Sequence, residues 1–230
     1  MSDLVIPKHI GFIVDGNRRW AKQHGLPTSN GHIEGYKILK EVMIEVFDAG
    51  VEFASAYAFS TENWKRSEDE VSKLMSLFLR AITADLPIFN DKNIKLKILG
   101  SRDRLSKSIL KAIDRAEAKT ANNTAGTLAL CFNYGGQLEI VDAVKKIIMS
   151  GIAVDDISVD LIERNLYSPE IPPIDIVVRT SGEQRLSNFM LWRSAYSEMM
   201  FIDKMWPDMT KDDVTDIIKE YSKRSRRFGG

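Results

Sequence analysis

Short apolar runs alternate with segments of helical periodicity along the whole 230-residue chain. The runs are apolar throughout, as in strands that are buried on both faces of a parallel sheet. They predict strands over residues 10–14, 51–59, 94–99, 127–132, 174–178 and 199–202. Since a helical segment follows most of them, we expect an α/β fold. It is predicted as one domain, residues 1–230, with a central, mostly parallel six-stranded sheet and helices on both faces.

The predicted helices differ in how many of their side chains are apolar. The longest, from Ser67 to about residue 89, begins with a capping box in which Glu70 is the reciprocal partner of Ser67. Its apolar residues are too numerous for a narrow stripe, so the helix is buried in the core or lines an apolar cavity. A cavity would suit a long apolar substrate. Further predicted helices follow residue 16 and cover residues 32–49, 102–119, 136–149, 159–166 and 212–226.

Composition excludes several classes of protein. The formal net charge is zero, which argues against a general nucleic-acid binder. Cys131 is the one cysteine, so an internal disulfide and a cysteine-based zinc site are excluded, and its apolar surroundings predict burial. We see neither the apolar core of a signal peptide nor an apolar run of transmembrane length, and therefore expect a cytoplasmic protein.

Polar clusters follow four of the predicted strands, where ligands bind in such folds. The first is Asp15-Gly16-Asn17 with Arg18 and Arg19. A strand that turns here into a helix presents backbone N–H groups that favour phosphate, and Asp15 offers oxygens to a divalent cation. The alternatives are a simple Asp-Gly hairpin turn and polar loops with surface ion pairs. The spacing of a P-loop is present without its Lys-Ser/Thr, so that nucleotide motif fails.

The charges of these clusters indicate the kind of ligand. Arg18, Arg19, Arg66, Arg179 and Arg185 are expected to converge at one sheet edge, together with Asp15 and Glu198. Arginine suits bidentate recognition of phosphate. This set would suit two diphosphates and a metal. In the neighbouring strand, the small side chains of Ala54, Ala56 and Ala58 would leave room for an apolar chain.

Seven motifs in register resemble one family over nearly the whole chain. They are Asp15-Gly16-Asn17-Arg18-Arg19-Trp20, Gly31-His32, Tyr57-Ala58-Phe59-Ser60-Thr61-Glu62-Asn63-Trp64-x-Arg66, Asn133-Tyr134-Gly135-Gly136, Arg179-Thr180-Ser181-Gly182-Glu183-x-Arg185-x-Ser187-Asn188-Phe189, Trp206-Pro207-Asp208 and Arg226-Arg227-Phe228-Gly229-Gly230. Together they resemble the cis-prenyltransferases, and most of all bacterial undecaprenyl diphosphate synthase.

The resemblance implies Mg²⁺-dependent condensation of isopentenyl diphosphate onto an allylic diphosphate such as farnesyl diphosphate. The product would be a long Z-polyprenyl diphosphate such as undecaprenyl diphosphate, a cell wall lipid carrier, grown in an apolar tunnel. Asp15 and Glu198 would be metal ligands, and Asp15, Asn63 and His32 would be catalytic. The implied substrate-binding residues are Gly16, Asn17, Arg18, Arg19, Trp20, His32, Ser60, Thr61, Glu62, Trp64, Arg66, Arg179, Arg185, Leu186, Ser187, Arg227 and Gly229.

The family also implies a homodimer in which Arg227 and Gly229 reach the partner's site, and transient peripheral membrane contact through the lipid product. Many members carry Arg where this chain has Thr28, and Gly where it has Arg18. Either one diphosphate contact is lost or Arg18 supplies it.

Three alternatives remain open at this point. The chain could be a short-chain or non-head-to-tail Z-prenyl diphosphate synthase. It could be a non-catalytic partner subunit, which would be expected to lose Asp15 or the arginines that this chain keeps. It could also be a phosphate-binding hydrolase of similar architecture. Product length, allylic primer and use of the lipid are left open.

Overall fold

The computed structural model describes residues 4–224. Its six strands are β1 His9–Ile13, β2 Phe53–Ser60, β3 Ile94–Leu99, β4 Gly126–Tyr134, β5 Ile176–Arg179 and β6 Glu198–Phe201. They form one sheet in the order β3-β4-β2-β1-β5-β6, and all five neighbouring pairs run parallel. The predicted α/β class and six-stranded sheet are therefore confirmed.

Eight α-helices lie around this sheet within residues 4–224. They are α1 Asn17–Gln23, α2 Thr28–Asp48, α3 Glu68–Ala81, α4 Leu86–Asp91, α5 Lys107–Thr120, α6 Gly136–Met149, α7 Val159–Asn165 and α8 Lys211–Ser222. Short 3₁₀ helices cover Thr61–Lys65, Val154–Asp156 and Trp206–Asp208. The strands of a parallel sheet need such crossovers, because consecutive parallel strands cannot be joined by a tight turn.

Successive residues of each strand enter two different cores. In β4, Leu130 packs with the larger cluster of α2, α3, α4, α5 and α8, whereas Cys131 packs with the smaller cluster on the opposite face. Phe12 and Ile13 of β1 divide in the same way. The alternation follows from the two-residue period of a strand, and both faces are covered, which explains why the strands read as continuous apolar runs.

The prediction of one long helix to residue 89 is wrong, because the structure divides this segment into α3 and α4. α3 ends at Ala81, and the backbone N–H of Asp85 donates to the carbonyl of Arg80 at 3.1 Å in the connecting turn. Pro87 then stands in the first turn of α4. Proline has no N–H to donate and suits a helix start, so it begins a new helix rather than extending the old one.

The predicted loop through residues 25–31 is too long, because α2 already begins at Thr28. Gly31 lies within α2 and, like Gly35 one turn later, serves close packing instead of a turn. A Cβ atom on Gly31 would lie 2.0 Å from the carbonyl oxygen of Asn17, and one on Gly35 would lie 2.1 Å from Asn17 Oδ1. Two glycines one turn apart therefore let α1 rest directly on α2.

The start of α5 also differs from the prediction. α5 begins at Lys107, five residues later than predicted, since the Ser106 hydroxyl accepts from the N–H of Ile109 and caps it. The Ser67 hydroxyl caps α3 as expected. The Glu70 carboxylate, however, contacts side chains of the site described next.

Candidate active site

Two polar pockets meet at Asp15, at the carboxyl edge of the sheet. The α1 pocket is lined by Val14, Asp15, Gly16, Asn17, Arg18, Arg19, Lys22, Gly25, Leu26, Pro27, Thr28, His32 and Arg66. The β5 pocket is lined by Ile13, Val14, Asp15, Tyr57, Ser60, Glu62, Asn63, Arg66, Arg179, Ser187 and Asn188. Asp15 and Arg66 are the charged residues that line both pockets, so a ligand in one pocket would lie beside a ligand in the other.

Asp15 follows β1, and its carboxylate accepts from two donors. Its Oδ1 accepts from the backbone N–H of Gly16 at 2.7 Å, and its Oδ2 accepts from Arg179 Nη2 at 2.8 Å. Burial alone would raise the pKa of this carboxyl group. The hydrogen bond and positive charge of Arg179 outweigh that effect and hold the pKa below its ordinary value of 3.8. Asp15 is therefore ionised at neutral pH.

The turn at Gly16 fixes the position of the Asp15 carboxylate at the start of α1. Gly16 has φ +108°, and a Cβ atom there would lie 3.0 Å from the Cβ of Met205. A side chain would thus be both strained and crowded. Glycine lets the chain leave β1 and enter α1 within one residue after Asp15.

Arg179 ends β5 and lies almost wholly inside the protein, with 4% of its side chain exposed. One of its Nη1 hydrogen bonds goes to Ser187 Oγ at 2.8 Å and another to the carbonyl of Arg185. Its Nε has no partner among the described residues. A guanidinium that lines an open pocket suits an anion such as a diphosphate, which would compete with Asp15 for the Nη2 donor.

The α1 pocket is strongly cationic, since Arg18, Arg19, Lys22 and Arg66 line it with Asp15 as its one carboxylate. Arg19 is fixed by Glu183 at 3.0 Å and by the hydroxyl of Ser181. Arg18 is more exposed, and its Nε lies 3.8 Å from Glu70 Oε1. Thr28 lines the same pocket, as expected if Arg18 and Thr28 share one binding region.

His32 of α2 contacts Glu70, a residue for which the sequence predicted only a capping role. His32 Nε2 lies 3.1 Å from Glu70 Oε1, and Arg66 Nη1 donates to the same oxygen at 2.8 Å. Burial lowers the pKa of His32, and the hydrogen bond from His32 with the charges of Arg66 and Arg18 lowers the pKa of Glu70 despite its burial. Because an ionised carboxylate can only accept, Nε2 carries the hydrogen and Nδ1 is the basic nitrogen of a neutral imidazole.

Ser60 and Asn63 are locked together at the end of β2. They form a capping box around the 3₁₀ helix Thr61–Lys65, in which the Ser60 N–H donates to Asn63 Oδ1 at 3.0 Å. The spacing Ser-x-x-Asn was the signal for this pairing. Trp64 ties the same 3₁₀ helix to the end of β4, since its Nε1 donates to Asn133 Oδ1 at 2.7 Å.

An apolar pocket with a cavity volume of about 80 Å³ opens behind the α1 pocket. Asn17 and His32 line both pockets, and Asn17 Oδ1 is buried with no partner among the described residues. Ala58 lines the apolar pocket, as expected, whereas Ala54 and Ala56 are fully buried and lie outside its lining. Its other lining residues include Leu39, Leu74, Leu77, Phe78, Ala81, Leu130, Phe132 and Trp206.

Several predicted residues lie outside the two polar pockets. The Trp20 indole donates to Asp208 at 2.7 Å, and Leu186 packs on the smaller core. The Arg185 guanidinium pairs with Glu183, so only its backbone carbonyl serves Arg179. Thr61 starts the 3₁₀ helix and does not line either pocket. Arg227 and Gly229 lie outside the described residues.

Glu198 is not brought to Asp15 within one chain. It begins β6 level with Ile176 of β5, which in turn pairs with Ile10 of β1, five residues before Asp15. Its carboxylate contacts Arg224 Nη1 at 3.1 Å. Sequence motifs carry no register, so this separation was not visible in the sequence.

Two absences hold for the described part of the chain. Residues 4–224 contain no group of three or more His, Cys, Asp or Glu side chains that could hold a metal ion. Within the same range, no helix combines the length and apolar character needed to cross a bilayer.

Comparisons with known proteins agree with this geometry. A prenyltransferase family model, described as undecaprenyl diphosphate synthase, matches residues 13–229. The chain is 45% identical to the isoprenyl transferase of Neisseria meningitidis serogroup A over 229 residues, covering 100% of this chain and 92% of that one.

Two solved structures share its fold at 31% identity. One is lavandulyl diphosphate synthase from Lavandula x intermedia in complex with dimethylallyl diphosphate, with a TM-score of 0.93 over 98% of this chain and 99% of that one. The other is a probable undecaprenyl diphosphate synthase from Campylobacter jejuni, with a TM-score of 0.82 over 97% and 99%. The chain therefore belongs to the undecaprenyl diphosphate synthase family of prenyltransferases and is a cis-prenyltransferase enzyme.

Proposed function

We propose that this enzyme elongates a Z-prenyl chain by condensing isopentenyl diphosphate onto an allylic diphosphate such as farnesyl diphosphate. The observation that carries the proposal is the pair of polar pockets that share Asp15 and Arg66, one of which opens into an apolar pocket. Two anions and one apolar chain are what this reaction must hold. The product is a long polyprenyl diphosphate such as undecaprenyl diphosphate, a cell wall lipid carrier that touches the membrane transiently.

The allylic diphosphate binds in the α1 pocket with its chain in the apolar pocket. Arg18, Arg19 and the backbone from Gly16 onward neutralise the leaving diphosphate. Isopentenyl diphosphate binds in the β5 pocket, where Arg179 and Ser187 hold its diphosphate. Ser60 and Asn63 line the β5 pocket, where they would contact the reacting end of isopentenyl diphosphate, and the apolar wall excludes water from the cation-like centre.

Among residues 4–224 no group of three or more His, Cys, Asp or Glu side chains could hold a metal ion, so Asp15 fits Mg²⁺ that arrives with a diphosphate. Mg²⁺ is often bound by one or two carboxylates plus substrate phosphates. Asp15 would hold it, and the ion would supply charge neutralisation at the leaving oxygens. Glu198 is a metal ligand only if another copy of the chain brings it there, since it lies away from Asp15 in its own chain.

Removal of the proton from isopentenyl diphosphate needs a weak base near the β5 pocket. His32 is neutral with a basic Nδ1, and Asn63 lines that pocket directly. Glu70 keeps the imidazole in this tautomer and holds Arg66, which lines both polar pockets. Glu70 is thus a positioning residue for the reaction.

The enzyme is further proposed to be a homodimer in which Arg227 and Gly229 complete the partner's site. Exposed apolar side chains on one side of α6 support an interface, among them Val141, Ile148 and Met149. Deleting residues 226–230 should raise the KM for isopentenyl diphosphate more than the KM for the allylic substrate. An unchanged KM, or a monomer at assay concentration, would contradict this part of the proposal.

Product analysis tests the function itself. Purified protein is incubated with Mg²⁺, farnesyl diphosphate and radiolabelled isopentenyl diphosphate, and the products are separated by chain length. Long Z-prenyl products support the proposal. Diphosphate release without isopentenyl diphosphate would indicate a hydrolase, and no reaction at all would indicate a non-catalytic subunit.

A second candidate is a short-chain or non-head-to-tail synthase. The similarity to lavandulyl diphosphate synthase, with its TM-score of 0.93, favours it. The two candidates separate in the same experiment when dimethylallyl diphosphate replaces farnesyl diphosphate. A single branched ten-carbon product from two dimethylallyl units would identify the second candidate, and elongation by isopentenyl units the first.

A further inference from the structure

The loop of residues 100–106, which joins β3 to α5, packs against the end of β4. We call it the β3–α5 loop. Gly100 has φ +142°, and a Cβ atom there would lie 2.0 Å from the carbonyl oxygen of Phe132. The N–H of Ser101 donates to the carbonyl of Asn133 at 3.1 Å. No residue of this loop lines the α1, β5 or apolar pocket, so its contacts reach the site only through other residues.

The side chain of Asn133 joins this loop to Trp64. Its Nδ2 donates to the carbonyls of Ser101 at 2.9 Å and Asp103 at 2.8 Å, and its Oδ1 accepts from Trp64 Nε1 at 2.7 Å. Asn133 is 3% exposed and has φ +51°, a left-handed conformation in which asparagine is enriched. Because a carboxylate could accept but not donate, an amide is the group that completes all three hydrogen bonds.

Arg104 of the same loop contacts the indole ring directly. Its guanidinium carbon lies 4.2 Å from the centroid of the Trp64 ring, within the range of a cation–π contact. Within residues 4–224 this guanidinium forms no ion pair, so the ring is what orients it. Arg104 has φ +65°, which is uncommon for an arginine. Backbone of this kind persists where the surrounding structure imposes it, and it clusters at functional sites.

The 3₁₀ helix Thr61–Lys65 depends on side-chain contacts of this kind because it is only five residues long. Its hydrogen-bond geometry is poorer than that of an α-helix. Arg66, which follows the helix, is held by Glu70 at 2.8 Å. Trp64 supplies the contacts to the β3–α5 loop and to Asn133. Since Asn63 directly precedes Trp64 and lines the β5 pocket, a movement of Trp64 would carry Asn63 with it.

We propose that Arg104 and Asn133 are positioning residues for the condensation and act through Trp64. They hold the 3₁₀ helix where Asn63 contacts the reacting end of isopentenyl diphosphate. This inference deepens the proposed function and rests on it, since it requires Asn63 to act in the β5 pocket. A contact can shift a structural equilibrium by no more than its own free energy. For a cation–π contact at an exposed position, that limit corresponds to about a two- to fivefold fall in kcat.

Arg104→Asn tests the cation–π contact, because asparagine removes it and tolerates the left-handed backbone. Arg102→Asn is the matched control, since Arg102 is an exposed arginine of the same loop that donates to the carbonyl of Ile98. We expect Arg104→Asn to lower kcat about two- to fivefold with an unchanged KM for isopentenyl diphosphate, and Arg102→Asn to keep both constants. In hydrogen-exchange measurements, the peptide of residues 60–66 should exchange faster in Arg104→Asn and at the wild-type rate in Arg102→Asn.

Trp64→Phe tests the hydrogen bond to Asn133 without changing that buried residue. Phenylalanine keeps an aromatic ring for Arg104 and removes the indole N–H. We expect kcat to fall about two- to tenfold, from the loss of one hydrogen bond. A wild-type kcat in the folded Trp64→Phe variant would overturn the role of Asn133.

A double-mutant cycle with Asn63→Ala separates positioning from a general effect on the fold. Single-turnover assays with radiolabelled isopentenyl diphosphate measure variants that are too slow for steady-state kinetics. If Arg104 acts through Asn63, Arg104→Asn should cause no further loss of rate once Asn63 is alanine.

Four results would overturn the role of Arg104. They are an equal fold loss in both backgrounds, a wild-type rate in Asn63→Ala, a wild-type kcat in Arg104→Asn, and a raised KM for isopentenyl diphosphate in that variant, which would indicate a direct contact with the substrate. A wild-type enzyme that does not condense isopentenyl diphosphate at all would instead overturn the proposed function.

Discussion

Asp15 is expected to contribute both to catalysis and to the stability of the fold, and two substitutions at this position distinguish the two contributions. Besides its proposed place at the leaving diphosphate, the carboxylate neutralises Arg179, whose side chain is 4% exposed. Removing one partner of a fully buried ion pair costs about 3–5 kcal/mol. Asp15 is 29% exposed, so water can replace part of its contact, and we expect a loss nearer 2 kcal/mol in Asp15→Ala. That corresponds to a fall in Tm of about 4–8 °C for a chain of this size.

Asp15→Asn is the matched control for this loss. Asparagine keeps the volume and one acceptor oxygen, which can serve either the Gly16 N–H or the Arg179 guanidinium, so its Tm should fall less. Both variants lose the negative charge that would hold Mg²⁺ at the leaving diphosphate, so kcat should fall by at least about 10²- to 10³-fold in each. Thermal melts and steady-state kinetics at saturating Mg²⁺ measure the two quantities. Near-normal kcat in either folded variant would refute the role of Asp15 in catalysis.

The pH dependence of unfolding gives an independent check. Arg179 holds the folded-state pKa of Asp15 below 3.8, so the unfolded chain takes up the proton first as the pH falls. The stabilising contribution of the carboxylate is therefore fully present above pH 3.8 and is lost as the pH falls through the lower folded-state value. The stability difference between wild type and Asp15→Asn should shrink over that window. A difference that stays constant down to acid unfolding would contradict the ion pair.

Three other predictions concern single positions. Thr28→Arg should lower the KM for the allylic substrate about tenfold or more, from one added charge-assisted hydrogen bond of roughly 1.5–3 kcal/mol, unless Arg18 already makes that contact. In that case Arg18→Gly is the costly change, and no effect of either would contradict both accounts. Ala58→Leu should shorten the product, because it fills the wall of the apolar pocket; an unchanged length distribution would place Ala58 outside the tunnel. His9 is buried, which lowers its pKa from 6.5 to about 4. Because the unfolded chain takes up this proton first, the free energy of unfolding of wild type should fall by about 3 kcal/mol relative to that of His9→Gln between pH 6.5 and 4. Stability curves of the two proteins that stay parallel over this interval would contradict the prediction.

Much of the sheet could be predicted from the sequence because its strands are buried on both faces. Such strands appear as uninterrupted apolar runs, and each predicted run overlaps the strand that the structure contains. The polar residues that follow them then had to meet at one edge, which brings Asp15, Ser60 and Arg179 together. The helix break was missed because apolar residues continue on both sides of it, and Pro87 was the signal that should have divided the segment.

The site was predicted less completely than the fold. Glu70 looked like a helix cap, and only the packing of α2 against α3 shows that its carboxylate serves His32 and Arg66. The resemblance implied Glu198 as a metal ligand, but its distance from Asp15 depends on strand register, which no local pattern encodes. Packing and register are long-range properties, so residues that depend on them escape a reading of the sequence alone.

The ion pair between Asp15 and Arg179 also couples the two polar pockets thermodynamically. A cation that binds Asp15 Oδ2 and an anion that binds Arg179 Nη2 each compete with the same 2.8 Å contact. Whichever ligand arrives second meets a partner that is already released, so its dissociation constant is lower. Linkage requires the effect to be reciprocal, and coupling between sites is typically about 5- to 150-fold. Mg²⁺ titrated with and without isopentenyl diphosphate should show the same factor as isopentenyl diphosphate titrated with and without Mg²⁺.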